Sequence, residues 1–338
     1  MVLKELCALR GVSGDERRVR EFIRERVTPH ATRVTVDRMG NLIAFKQGTG
    51  ESHRHIALVA HMDEVGMIVQ GINDNGLISY DTVGGIDSRV VVSKPVRIGD
   101  NEVPGVIGAK AIHLQSAKER ETALSHDDLY IDIGAKDKAS AEKLVELGDF
   151  ISFESRWVEF GEGMVKARAL DDRIGCMVLM SILEGEYPCD ITCVFTVQEE
   201  IGVRGATAAA YHVESDAAIV LEATAANDMG DPEETNKVCC VKKGVAISFM
   251  DRTSIACAPL FQRLRQLAVE NGISWQIKQG VTGGNDAGPF QREGGPRPVC
   301  VLSTPCRYIH SPSCVAAFSD IEAQFSLVEA FLMAGGAF

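Results

Sequence analysis

Two adjacent glutamates, Glu199 and Glu200, come shortly after the apolar run at residues 191–195. Neighbouring side chains at the end of a strand point to opposite sides, so one carboxylate can bind a metal ion while the other faces a substrate or water. Taken alone, such a pair is more typical of a solvated surface. Its chemistry therefore depends on which other side chains the same sheet brings beside it.

His61 and Asp63 follow a predicted buried strand at residues 55–60. Alternation along a strand places both side chains on one side, where Asp63 can accept the second ring N–H of a metal-binding His61 and fix its tautomer. An isolated histidine of this kind is more often structural. The pair gains weight only together with other candidate ligands.

Asp171 and Asp172 stand immediately before an apolar helix predicted at residues 172–184. An aspartate in this position often caps the helix, and Asp172 is as well explained by capping as by a chemical role. Asp171 lies just upstream, where it is freer to point into a cleft. We expect its carboxylate to bridge two cations.

Glu222 and His310 each follow a further predicted strand, and Glu222 comes directly after residues 217–221. Each alone is more typical of a structural or solvated residue. Together, acids and histidines at the ends of four strands of one α/β sheet lie where such folds place their sites. Histidine, aspartate and glutamate ligands are what two adjacent divalent cations require. Glu199 is then the natural general base for a water molecule.

The elements that must position these residues form an α/β pattern with an interruption. Helical spacing at residues 2–29 breaks at residues 11–16, where Ser13 or Asp15 is expected to cap a second helix. Residues 66–161 change to short strands and turns with one helical segment near 138–147, which indicates a small β-barrel or sandwich. We predict an α/β domain formed by residues 1–65 and 162–338, with residues 66–161 inserted. Further predicted helices lie at 204–211, 258–271 and 315–333.

The composition indicates an ordinary globular protein of 338 residues, 45% of them hydrophobic, with a formal net charge of −12. This charge opposes nucleic-acid binding, and no run approaches the ~18 to 20 apolar residues of a membrane span. Ten cysteines without a C-x-x-C pair favour a reducing compartment. The N-terminus fits an amphipathic helix better than a signal peptide. We expect a cytoplasmic protein without nucleic-acid or membrane partners.

Five ordered motifs give the sequence a specific resemblance. They are HMDEVG at 61–66, ALDDR at 169–173, QEEIGVRGA at 198–206, GGNDAG at 283–288 and RYIHSP at 307–312. In this order they resemble the M42 family of metallo-aminopeptidases, which includes the tetrahedral and the glutamyl aminopeptidases. The resemblance covers nearly the whole chain.

The resemblance implies two divalent metal ions, zinc or cobalt first and manganese as a further option. His61, Asp171 and Glu222 would hold one ion, and Asp171 would be shared with the second. Glu200 and His310 would complete the second site. Glu199 would be the general base, and Asp63 would support His61.

The same resemblance implies a phosphorylase/hydrolase-like catalytic domain, with a mixed sheet between helices, interrupted by a PDZ-like β-barrel that forms dimers. It further implies a dodecamer that encloses its active sites and acts on short peptides. Two positions depart from the family pattern, because Glu222 is more often Asp and Asn285 is more often Thr. In the inserted region, residues 84–89 lack the usual Trp.

Other functions stay open at this stage. A two-metal carboxypeptidase or an N-acyl-amino-acid deacylase would use the same ligands. A non-catalytic assembly protein would keep the fold, although it would be free to lose ligands that are all present. Two close acids also suit a glycosidase, but the histidines argue for metal.

Overall fold

The computed structural model describes residues 1–50, 52–230 and 237–338. Its strands are Arg33–Val36 (β1), Leu42–Lys46 (β2), His55–His61 (β3), Gly66–Ile72 (β4), Ile78–Val83 (β5), Pro95–Ile98 (β6), Val103–Ala109 (β7), Leu129–Asp132 (β8), Phe150–Phe153 (β9), Val158–Phe160 (β10), Met164–Ala167 (β11), Asp190–Thr196 (β12), Ala217–Ala225 (β13), Val245–Ser248 (β14), Trp275–Lys278 (β15), Val299–Cys306 (β16) and Cys314–Ala317 (β17). Its helices are Val2–Ala8 (α1), Arg17–Val27 (α2), Ala117–Glu121 (α3), Lys138–Ala141 (α4), Leu170–Glu184 (α5), Arg204–Ala209 (α6), Ala258–Glu270 (α7), Ala287–Arg292 (α8) and Phe318–Met333 (α9).

An eight-stranded mixed sheet in the order β1-β2-β12-β3-β13-β16-β14-β15 forms the centre of the α/β part. Its four middle strands, β12, β3, β13 and β16, are mutually parallel neighbours. Their carboxyl ends therefore meet at one edge of the sheet, which is where open α/β sheets bind ligands. The predicted α/β class is confirmed.

Helices cover both faces of this sheet, which is why its middle strands are almost continuously apolar. Along β13, Ile219 packs into the cluster that contains α5 and α9, and the next residue, Val220, packs into the cluster that contains α6 and α8. Leu58 and Val59 of β3 divide in the same way. Each fully buried side chain of this size contributes roughly 1.5–3 kcal/mol to folding, so the strands that end at this edge are held from both faces of the sheet.

The interruption contains a closed barrel with strand order β4-β5-β8-β7-β6-β9. Met67, Ile78, Val96, Ile107 and Ile131 are among the residues that fill its separate core. The predicted β-rich region thus forms a barrel and not a sandwich. The boundaries at 66 and 161 stay a prediction, because β10 lies inside them but pairs with β11 in a three-stranded sheet outside the barrel.

Three predicted elements differ from the structure by more than two residues at one end. The segment at 138–147 is helical only over Lys138–Ala141. The helix predicted at 315–333 begins at Phe318, because Cys314–Ala317 pair with β11 as a strand. The strand predicted at 217–221 continues to Ala225, because its last residues pair with β16. In the described ranges, no helix combines the length and the apolar character that crossing a bilayer requires.

Candidate metal centre and active site

His61, the last residue of β3, is buried at the carboxyl edge of the sheet. Its Nδ1 lies 3.1 Å from the backbone carbonyl oxygen of Asp63. A proton on Nδ1 donates to that carbonyl and leaves the Nε2 lone pair free. Nε2 faces Asp171 Oδ1 at 3.5 Å and Glu222 Oε2 at 3.6 Å. This is the orientation of an imidazole prepared to bind a metal ion.

Asp171 lies between the two predicted histidines. Its Oδ1 faces His61, and its Oδ2 is 3.5 Å from Nε2 of His310. The same His310 Nε2 is 3.1 Å from Glu200 Oε2, and Nδ1 of His310 contacts the backbone oxygen of Gly85 at 2.9 Å. One carboxylate thus presents each of its oxygens to a different imidazole, as a ligand shared by two cations would.

The residues fit two divalent cations. Asp171 Oδ1 and Glu222 Oε1 are buried without a hydrogen-bond partner. Ligand atoms of His61, Asp171 and Glu200 lie within 4.8 Å of one another, as do those of His61, Asp172 and Glu222. Imidazole nitrogen and carboxylate oxygen are donors that zinc, cobalt and manganese accept. The second cluster contains Asp172 where the resemblance places Asp171.

Asp172 has two contacts that its sequence position left open. Its Oδ1 accepts the backbone N–H of Gly175 at 3.0 Å, which caps the helical part of α5. Its Oδ2 is buried without a partner, on the side of His61 and Glu222. The residue therefore combines capping with a place beside the candidate metal centre.

The electrostatics of this cluster call for added positive charge. Burial raises the pKa of Glu199 and of Glu222, and neighbouring carboxylates raise both further. Burial alone would lower the pKa of His310, but hydrogen bonding to Asp171 and Glu200 raises it to about 11. Acids that resist ionisation beside histidines that resist deprotonation indicate a surplus of negative charge. Bound cations would remove that surplus.

The turn that carries Glu199 and Glu200 is held by Asp63. After β12, Gln198 adopts a left-handed conformation with φ of 55°. The backbone N–H groups of Glu199 and Glu200 then donate to the two oxygens of Asp63, at 3.0 and 3.1 Å. Ser13 Oγ donates to the same carboxylate at 2.6 Å. The buried Asp63 thereby fixes the direction of both glutamates.

One expectation is extended here and another is wrong. The sequence assigns Asp63 the support of His61, which stays a prediction; its carboxylate lies 3.5 Å from Nδ1, and its own backbone carbonyl lies at 3.1 Å. Its shorter contacts go to the glutamate turn. The predicted cap from Ser13 or Asp15 is wrong, because α2 begins after Glu16 without a side-chain cap. Ser13 instead belongs to the site.

A cavity of about 520 Å³ opens beside the cluster. Six of the seven predicted site residues line it: His61, Asp171, Glu199, Glu200, Glu222 and His310. The seventh, Asp63, lies beneath Glu199 and Glu200. Lys278 and Ser303 also line the cavity and were not predicted. Ser303 lies in the middle of the mostly apolar strand β16, and Lys278 ends β15, in which apolar and polar residues alternate, so neither position signalled a site in the sequence.

The profile of the family described as M42 glutamyl aminopeptidase matches residues 40–327. The chain belongs to the M42 peptidase family. This membership and the aminopeptidase names of its relatives support peptide hydrolase activity.

Three relatives of this M42 member show the degree of sequence similarity within the family. The putative aminopeptidase FrvX of Escherichia coli (strain K12) is 34% identical over 98% of this chain and 94% of its own length. The lysyl aminopeptidase of Pyrococcus furiosus is 28% identical, with 98% and 96% covered. The glutamyl aminopeptidase of Lactococcus lactis is 26% identical, with 94% and 91% covered.

Solved structures agree over the whole fold. The TET aminopeptidase from Thaumarchaeota archaeon SCGC AB-539-E09 superposes with a TM-score of 0.94 at 32% identity, covering 98% of this chain and 95% of that one. The dodecameric PhTET1-12s structure gives 0.85 at 33% identity, with 98% and 97% covered. The TET1 peptidase of Pyrococcus horikoshii, which can assemble into a tetrahedron or a large octahedral shell, gives 0.86 at 34% identity, with 98% of each covered.

Proposed function

We propose that this M42 member is a metal-dependent aminopeptidase that removes N-terminal residues from short peptides with two metal ions and Glu199 as general base. The observation that carries the proposal is the position of Asp171, whose oxygens each lie 3.5 Å from a different histidine. Such an arrangement beside an open cavity suits a pair of cations that share one carboxylate.

In this proposal His61, Asp171 and Glu222 hold one ion, and Asp171, Glu200 and His310 hold the other. Asp172 lies close enough to His61 and Glu222 to contribute to the first site. Bound zinc, cobalt or manganese would lower the pKa of a water molecule and polarise the peptide carbonyl.

The chain's own residues perform the proton transfers. Glu199 lines the cavity beside the candidate ligands, so its carboxylate can take a proton from the attacking water. It then returns that proton to the nitrogen of the leaving peptide. Asp63 keeps Glu199 in place through the 3.0 Å bond from the Glu199 backbone N–H.

The names of the relatives support cleavage at the amino end over a two-metal carboxypeptidase or a deacylase. The four carboxylates that line the cavity would also attract the ammonium group of a free peptide N-terminus. Peptides with a blocked amino group are therefore expected to resist cleavage.

We further propose that the protein assembles through its barrel into dimers and a dodecamer. The TET relatives that form large assemblies support this proposal. Exposed apolar side chains beside the barrel, Ile112 at 70% and Leu114 at 64% exposure, supply surface of the kind that subunit interfaces cover. A cytoplasmic location stays a prediction.

Matched variants test the assignment of roles. Glu199→Gln is expected to keep its metal content and to lose roughly 10²- to 10⁴-fold in turnover, because only the base is removed. Glu200→Gln is expected to lose metal as well as turnover. The exposed Glu25→Gln serves as the control. Metal content by mass spectrometry and hydrolysis of aminoacyl p-nitroanilides are measured after chelation and reconstitution.

Full activity in metal-loaded Glu199→Gln would refute Glu199 as the base. Undiminished cleavage by the chelated wild-type protein would refute the metal-dependent mechanism altogether.

A further inference from the structure

His310 belongs to the second proposed metal site and is the most exposed of the five candidate ligands. Its side chain is 36% exposed, whereas the other four ligand side chains are at most 9% exposed. His310 and the nearby Tyr308 also have left-handed backbone conformations, with φ of 57° and 58°. Such conformations in residues other than glycine persist only where surrounding contacts hold them. The orientation of the His310 imidazole therefore depends on contacts from neighbouring elements.

One of these contacts comes from the inserted region. The loop at residues 84–89, between β5 and β6, brings the backbone oxygen of Gly85 to 2.9 Å from Nδ1 of His310. Gly84 permits this approach, because it has φ of 87° and a Cβ there would lie 2.8 Å from Cγ1 of Val65. A proton on Nδ1 donates to the Gly85 carbonyl and leaves the Nε2 lone pair of His310 free for the second metal ion.

His126 ties this loop to the segment that precedes β8. Its Nε2 lies 2.9 Å from the backbone oxygen of Ile86, the residue after Gly85. Ser88 Oγ donates to the backbone oxygen of Leu124 at 2.5 Å, which adds a second attachment to the same segment. Two consecutive carbonyls of the loop therefore each face an imidazole, one of the candidate ligand and one of His126.

The hydroxyl of Tyr80 fixes the tautomer of His126. It lies 3.2 Å from Nδ1 of His126, and the two rings pack edge to face with their centroids 5.8 Å apart. Burial raises the pKa of Tyr80 to about 12, so the hydroxyl keeps its proton at neutral pH and donates to Nδ1. The ring proton of His126 is then on Nε2, where it donates to the Ile86 carbonyl. A phenol, an imidazole and a backbone carbonyl thus form a chain of hydrogen bonds that ends beside the candidate metal centre.

We propose that His126 is a positioning residue for the second metal ion, because it holds the loop whose Gly85 carbonyl orients His310. The inference rests on the proposed two-metal function. The effect is confined to this half of the centre, since Nδ1 of His61 has its own acceptor in the backbone oxygen of Asp63 at 3.1 Å. Loss of a group that orients a metal ligand costs roughly 10- to 100-fold in metal affinity. His126 acts through the loop, so we expect the lower end of this range, about 10-fold.

Cobalt binding to the metal-free protein tests this role. His126→Phe keeps a ring against Tyr80 and removes the donor to Ile86. In calorimetric titration with Co²⁺, the wild type is expected to bind two ions per chain. His126→Phe is expected to bind the first ion unchanged, while the Kd of the second rises about 10-fold. His126→Gln places an amide N–H near the position of Nε2 and is expected to restore the second site. His212→Phe, the same change at an exposed histidine, is expected to match the wild type.

Wild-type affinity for the second ion in His126→Phe would overturn the inference. Equal weakening of both ions, or no recovery in His126→Gln, would also overturn it, because a merely structural role predicts those results. If His126→Phe does not fold, Tyr80→Phe removes only the hydroxyl that fixes the tautomer. A smaller rise in the Kd of the second ion alone is then expected, and an unchanged second site would overturn the inference.

A wild-type protein that binds fewer than two Co²⁺ ions would instead contradict the proposed function. Hydrogen exchange of the metal-free protein, followed by mass spectrometry, still tests His126 in that case. His126→Phe is expected to speed exchange at residues 84–89 and 307–313, since the Gly85 carbonyl joins the two segments. Unchanged exchange at residues 307–313 would overturn the inference.

Discussion

Replacing Asp63 with Asn tests how the glutamate turn is held. The carboxylate is fully buried and accepts three donors: Ser13 Oγ and the backbone N–H groups of Glu199 and Glu200. An amide of the same shape has one acceptor oxygen, and its NH₂ group must face at least one of these donors. In the better orientation, the oxygen serves Ser13 and Glu200 and leaves the Glu199 N–H unsatisfied.

The expected cost follows from that single lost bond. A hydrogen bond to a charged acceptor contributes roughly 1.5–3 kcal/mol, and a buried donor without a partner costs about 1–3 kcal/mol. These contributions overlap, so Asp63→Asn is expected to lower the free energy of unfolding by about 2–4 kcal/mol. Because the turn also aims Glu199, a shift of about 1 Å would lower turnover roughly 10²-fold.

Urea unfolding of the metal-free wild-type and Asp63→Asn proteins at equal concentration measures the free energy of unfolding. Hydrolysis by the metal-loaded proteins measures the rate. Ser13→Ala removes one bond and keeps both backbone N–H groups satisfied, so it should cost less on both measures. An unfolding free energy of Asp63→Asn within about 0.5 kcal/mol of wild type would show that the network does not hold the turn.

Two further predictions concern buried charges outside the cavity. Burial raises the pKa of Glu16 from 4.5 to about 7, so the folded protein keeps this proton while the unfolded chain releases it. The contribution of this group to the free energy of unfolding therefore falls as pH rises from about 4.5 to about 7. Glu16→Gln should remove that fall, which urea unfolding at about pH 5 and about pH 8 measures. An unchanged pH dependence in Glu16→Gln would contradict this account. The guanidinium of Arg173 is fully buried and donates to the backbone oxygens of Leu6 at 2.6 Å and Met62 at 2.8 Å. Arg173→Met should lower the free energy of unfolding by about 3 kcal/mol or more, and an unshifted urea midpoint would count against it.

The sequence predicted those site residues whose positions follow from a local rule. His61 ends a strand, and Glu199 and Glu200 follow another, because parallel strands in α/β folds end at a common edge. The structure brings these residues together with Asp171 and His310. Their chemical roles remain proposals, but their proximity could be predicted from the positions of the strand ends and the order of the motifs.

Features that depend on pairing between strands far apart in the chain could not be predicted from the sequence. Glu222 lies inside β13 and not after it, since the strand continues alongside β16. Cys314–Ala317 form a strand because β11 lies beside them, although their small apolar residues fit a helix equally well. Lys278 reaches the cavity only through the strand order β13-β16-β14-β15. No local pattern in one sequence contains that order.

The parallel arrangement of β12, β3, β13 and β16 also has a consequence for protein synthesis. The candidate ligands are contributed by chain positions from 61 to 310, and β16 is the last of these four strands to leave the ribosome. Until β16 pairs beside β13, the growing chain lacks His310 and holds an incomplete set of ligands. The complete set of candidate ligands is therefore available only after β16 and the residues that follow it, up to His310, have been synthesised.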